Sequence, residues 1–168
     1  DSVASRGLGD VYKRQAFFFV FVPILIDYFS KKFIEKKFAL DDNPVVFNDY
    51  VVLEKVYNKG MAFGLFDSDS PLTNIFFSIV VIFIIIYLIN YVFKYGASFN
   101  KPDFFAFHII IGGAIANLID RLSNGKVLDF IIIHYENIYF PAIFNFADAF
   151  ITLGIFIIIT NWLIHKHD

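Results

Sequence analysis

Apolar and polar positions alternate in blocks rather than singly. Four long apolar stretches stand between shorter mixed segments. The first runs from Ala16 to about residue 30 and is interrupted by Pro23 and Asp27. The second, 71–93, contains no charged residue and is long enough to cross a hydrocarbon core of about 30 Å. The third, 104–121, is interrupted by His108 and Gly112-Gly113 and ends on Asp120-Arg121. The fourth, 146–164, carries Asp148 near its start. Small residues in the third stretch (Gly112, Gly113, Ala114, Ala116) let helices approach closely. Between the first two stretches, 44–47 and 50–57 are rich in β-branched and aromatic residues, and Asn58-Lys59-Gly60 reads as a turn. A small surface sheet is expected there. Residues 131–144 mix aromatics with His134, Glu136 and Asn137, which suits a membrane–water boundary. The pattern predicts a mainly α membrane protein of four transmembrane helices with a small β-rich segment.

Composition agrees. Hydrophobic residues make up 58% of 168, and the mean hydropathy is +0.63. A net charge of -2 gives no sign of nucleic-acid binding. There is no cysteine, which removes disulfides, thiolate metal sites and a cysteine nucleophile. Residues 1–15 are polar and unlike the rest of the chain; 10–15 resemble a translated sequencing-adapter end. They are expected to be a non-native or disordered tail, with 16–168 a single membrane domain. Orientation is not fixed by charge. Lys31, Lys32, Lys36 and Lys37 follow the first span, and a naive positive-inside count puts 31–70 in the cytoplasm.

Acidic groups in membrane spans are costly, about 2.5–3.5 kcal/mol on insertion scales, so each is a functional candidate. Here they are Asp27, Asp120 and Asp148, with Asp129 just beyond the third span. A short connection can bring the start of the fourth span beside the end of the third, so that Asp129 and Asp148 face each other near one membrane surface. Two close carboxylates share a proton, and such a pair supplies the general base and general acid that peptide hydrolysis needs. The plainer reading is that Asp148 caps a helix. Asp120 with Arg121 reads as an ion pair, and Asp27 with Lys31 lies on one helix face. Other proteolytic chemistries lack their residues. There is no H-E-x-x-H or G-x-S-x-G, Asp129 has no glycine next to it, and Ser30 and Lys31 are adjacent and point apart.

Four blocks, in order, resemble those of the lipoprotein signal peptidase (signal peptidase II) family. They are Asp27-Tyr28-Phe29-Ser30-Lys31; Tyr57-Asn58-Lys59-Gly60-Met61-Ala62-Phe63-Gly64; Gly112-Gly113-Ala114-Ile115-Ala116-Asn117-Leu118-Ile119-Asp120-Arg121, continuing through Gly125 to Val127-Leu128-Asp129-Phe130; and Phe144-Asn145-Phe146-Ala147-Asp148. Ala116 stands where the family often has Gly. The resemblance implies an aspartic endopeptidase with Asp129 and Asp148 catalytic. Asn58, Asn117, Arg121 and Asn145 would line the substrate site, and Asp27, Lys31 and Asp120 would be structural. It implies no metal or cofactor and no nucleic-acid partner. The implied substrate is a diacylglyceryl-modified prolipoprotein, met in membrane lipid by a monomer and cut just before the lipidated cysteine. The implied place is the bacterial cytoplasmic (inner) membrane, with the site and 31–70 on the extracytoplasmic face and both termini inside, against the lysine count. The rival reading is a small non-enzymatic transporter or assembly subunit.

Overall fold

The computed structural model describes residues 2–38, 43–59 and 71–166. Four α-helices and four strands follow in the order α1 (Ser2–Lys37), β1 (Val45–Asn48), β2 (Val51–Asn58), α2 (Pro71–Tyr95), α3 (Lys101–Asn124), β3 (Val127–Tyr135), β4 (Ile138–Tyr139) and α4 (Phe146–His165). Residues 60–64 of the second sequence block lie outside the described residues.

Among the described residues, three helices are long and apolar enough to cross a membrane: Leu72–Ser98, which takes in the 3-10 turn after α2, Lys101–Asn124 and Phe146–His165. The fourth expected span falls on α1, which begins at Ser2 rather than Ala16 and runs for 36 residues, roughly 54 Å. Lys13, Arg14, Asp27, Lys31 and Lys32 break up its apolar run, so composition alone does not mark it as a span. Pro23 sits inside it, fully buried, and removes one internal hydrogen bond without ending the helix.

The centre of the bundle is α3. Half of its most apolar stretch is buried, against 11% for α2 and 17% for α4, so the outer two turn most of their side chains outward. Two adjacent glycines make this central place possible. A Cβ on Gly112 would collide with the Val20 carbonyl oxygen of α1, and one on Gly113 would lie 2.6 Å from the Ala147 oxygen of α4. The expected packing role of these glycines is therefore met on two sides at once. Local signals set the ends of α3. Asn100 caps it by accepting a hydrogen bond from the Asp103 N–H, and Gly125 ends it at φ 69°, a left-handed conformation that suits glycine.

The strands form one antiparallel sheet in the order β1-β2-β3-β4. The expected strands at 44–47 and 50–57 appear as β1 and β2. The sequence pattern did not mark 127–135 as a strand, yet this is β3, the strand that joins the two halves of the chain. Its register sets Val127 opposite Asn58 and Asp129 opposite Val56. Ile34 and Phe38, at the end of α1, pack on Leu128 and Phe130 and fix the sheet to the bundle.

Candidate active site

Beneath the sheet, the C-terminal half of α1, the end of α3, the start of β3 and the start of α4 meet around a layer of buried polar side chains. Asp129 (3% exposed) comes from β3. Its Oδ2 accepts from Asn58 Nδ2 at 3.0 Å, and its Oδ1 accepts from Asn145 Nδ2 at 2.7 Å. Burial pushes the Asp129 carboxyl up to about 6, because a charged carboxylate loses water there. The Asn58 and Asn145 donors pull it back, the negative charge of Asp148 pushes it further up, and Lys31 lowers it.

Asp148 lies in the first turn of α4. Asn145 is the N-cap and accepts from the Asp148 N–H at 2.9 Å, and Asp148 Oδ2 in return accepts from the Asn145 N–H at 3.3 Å. This reciprocal cap uses one carboxylate oxygen. The other, Oδ1, accepts from Asn117 Nδ2 at 2.7 Å. Asn145 thus touches both acids: its oxygen serves the Asp148 backbone and its amide nitrogen serves Asp129. The same nitrogen lies 3.1 Å from Asn117 Oδ1, which closes the chain Asp129–Asn145–Asn117–Asp148. Helix capping and carboxylate pairing were alternatives in the sequence; in the structure one oxygen of Asp148 closes the cap and the other joins the asparagine chain that leads to Asp129.

Lys31 supports this layer from α1. It pairs with Asp27 Oδ2 and Asp120 Oδ2, each at 2.6 Å, and donates to Asn117 Oδ1 at 3.3 Å. Asp27 then reaches across to α4, where its Oδ1 accepts from the Ala147 N–H at 3.0 Å. An anionic oxygen on a first-turn N–H is favourable. The partner of Asp120 is therefore Lys31 rather than the adjacent Arg121, since neighbouring helical side chains diverge.

Arg121, at the end of α3, faces the charges of Asp129, Asp148 and Asp120 and stands over the Phe77 ring of α2 at 5.9 Å. Its buried Nε and Nη1 have no hydrogen-bond partner among the described residues. The structure thus gathers the expected Asp27, Lys31, Asn58, Asn117, Asp120, Arg121, Asp129, Asn145 and Asp148 in one region. Asn58, Asn117 and Asn145 bond the carboxylates in this arrangement. Sequence reasoning missed Asn74 and Phe77, which α2 brings against Arg121; an asparagine inside an otherwise apolar span was the available signal.

Fold and site define a helical membrane protein with a sheet-capped layer of acids. Solved structures with the same fold are bacterial membrane enzymes. One, determined by the in meso method at 2.3 Å resolution, superposes with a TM-score of 0.74 at 26% identity, covering 90% of this chain and 89% of that one. Another, at 1.9 Å, gives 0.71 at 28% identity, covering 89% and 92%. The lipoprotein signal peptidase of Cellvibrio japonicus (strain Ueda107) is 37% identical over 158 residues, 92% of this chain and 91% of that protein. That of Thermodesulfovibrio yellowstonii is 37% identical over 136 residues, covering 81% and 86%. The pattern of the signal peptidase (SPase) II family matches residues 19–164. The chain belongs to the signal peptidase II family, and is therefore a protease. This leaves the transporter or assembly-subunit reading without support.

Proposed function

We propose that the chain is an aspartic endopeptidase that frees the signal peptide of a diacylglyceryl-modified prolipoprotein, cutting just before the lipidated cysteine, with Asp129 and Asp148 as its catalytic pair. The observation that carries this is the single side chain of Asn145, which binds a carboxylate from β3 and the capping turn of a carboxylate from α4. Such an arrangement ties two acids from different elements to one place.

We assign the proton to Asp129, whose carboxyl is buried and pushed up to about 6. Asp148 takes a proton from water as the water oxygen adds to the scissile carbonyl, and Asp129 gives its proton to the carbonyl oxygen. When the tetrahedral intermediate collapses, the C–N bond breaks. The proton on Asp148 passes to the leaving nitrogen, and Asp129 recovers one from the intermediate's hydroxyl. Arg121 donates to a substrate carbonyl through its open N–H groups. Asn58, Asn117 and Asn145 hold the acids and line the site, while Asp27, Lys31 and Asp120 brace it. In this reading α1 is the fourth span, since it packs along α3 and α4 with its buried Asp27 and Lys31 facing inward. Residues 16–168 are one membrane domain acting as a monomer. The sheet lies at the extracytoplasmic face of the bacterial cytoplasmic membrane, and both ends of the bundle's chain lie inside. A substrate and product anchored by acyl chains stay in lipid, so the enzyme need not extract either.

The test is cleavage by the reconstituted protein of two precursors, one diacylglyceryl-modified and one unmodified, read by mass spectrometry. The expected result is one cut, before the modified cysteine, in the modified precursor. Equal cutting of both, or a cut elsewhere, contradicts the assignment.

A further inference from the structure

The catalytic scheme leaves α2 without a part, although its first turns reach the site. Asn74 donates its Nδ2 to the Arg121 carbonyl oxygen at 3.3 Å. That oxygen already accepts the Gly125 N–H that closes α3, so Asn74 is a second clamp on the helix end. Because Nδ2 must face a carbonyl, Oδ1 is turned the other way. It is buried and has no hydrogen-bond partner among the described residues. One turn further along α2, Phe77 stands under the Arg121 guanidinium, whose Nε and Nη1 are likewise buried and open. Ser78 offers Oδ1 nothing, since its hydroxyl donates to the Asn74 backbone oxygen at 2.7 Å.

Buried donors and a buried acceptor thus stand open at one helix–helix contact. Their pairing selects the ligand. A carbonyl with no N–H beside it, such as an acyl ester, meets only the arginine and leaves Asn74 Oδ1 unpaired. A peptide chain has both groups and satisfies both residues. We infer that Asn74 is a substrate-positioning residue that accepts a backbone N–H of the bound signal peptide, working with Arg121, which takes a neighbouring carbonyl. The inference rests on the peptidase reading above and adds that α2 reads peptide backbone.

Backbone-ester substrates test it, because they replace a single N–H by oxygen and keep every side chain. A scan of residues on either side of the cleavage point, the scissile bond excepted, is run on the wild type and on Asn74→Leu. One position is expected to lower kcat/KM about 10-fold in the wild type, chiefly through KM, and less than about 2-fold in Asn74→Leu. A helix clamp alone cannot produce that position-specific coupling. If Asn74→Leu does not fold, Asn74→Ser, which is too short to reach, takes its place. If the wild type cuts the parent amide but no ester position couples to residue 74, the inference is wrong and the peptidase reading stands. If the wild type does not cut the parent amide, both fall.

Discussion

The layer under the sheet and the outward faces of α2 and α4 are built on opposite rules. In the layer, Asp27, Lys31, Asp129 and Asn145 are each no more than 5% exposed, and every one is hydrogen-bonded or ion-paired. On the outer faces, Phe93 is 85% exposed and Phe83 67%, with only side-chain size and apolarity to recommend them. The difference follows from the two solvents. Lipid accepts any apolar side chain, so the outer faces need only be hydrophobic. A buried acid has no solvent to satisfy it, so each atom needs a particular partner. The layer is therefore sensitive to single atoms and the shaft is tolerant of them.

The comparison breaks first at the helix contacts that hold the layer together. Gly113→Val places a Cβ 2.6 Å from the Ala147 oxygen and 2.9 Å from Ile151 Cγ1, so α3 and α4 must separate. Loss of more than about 3 kcal/mol is expected, seen as failure to recover folded protein in detergent. A variant that melts at the wild-type temperature contradicts the packing described. Lys31→Met comes next. It leaves the buried Asp27 and the half-buried Asp120 without their cation, at a cost of about 3–5 kcal/mol. Adding Asp27→Asn and Asp120→Asn should restore part of the stability; no recovery means the lysine does something other than neutralise these two acids.

Asp129 sharpens the contrast through pH. Its pKa is raised, from 3.8 to about 6, so the fold favours its protonated form. The stability this group contributes is present below pH 3.8 and is lost as pH rises through about 6, roughly 3 kcal/mol in all. Denaturation in detergent between these values should show that slope in the wild type and lose it in Asp129→Asn. The same titration removes the proton that the proposed mechanism draws from Asp129, so kcat/KM should fall above about pH 6. The smallest effect belongs to the shaft: Phe93→Leu should move stability by less than about 0.5 kcal/mol and leave cleavage unchanged. A large loss there assigns that face a partner more particular than lipid.

The spans were legible because their signals are local. The readings 71–93, 104–121 and 146–164 fall within Pro71–Tyr95, Lys101–Asn124 and Phe146–His165, whose remaining residues lie in first and last turns. The candidate acids stood out as charges in or beside apolar spans, but their proposed roles came only through the four sequence blocks, since taken singly Asp148 looks like a helix cap. What the sequence concealed is long-range. The pairing of β3 with β2 joins segments some 70 residues apart and brings Asn58 to Asp129. Lys31 gave one obvious partner, Asp27 on its own helix, and hid Asp120 on another. Asn74 was passed over because a single polar residue hardly lowers the hydropathy of its span.

The central claim, that Asp129 and Asp148 do the chemistry, is tested most directly by the diacylglyceryl-modified precursor on a gel with wild type, Asp129→Asn and Asp148→Asn. Each substitution keeps side-chain shape but removes a carboxylate. The wild type is expected to shorten the precursor, and each variant, correctly inserted and folded, to slow cleavage by at least about 10³-fold. Cleavage at near wild-type rate by either variant would contradict it and leave that residue a structural support.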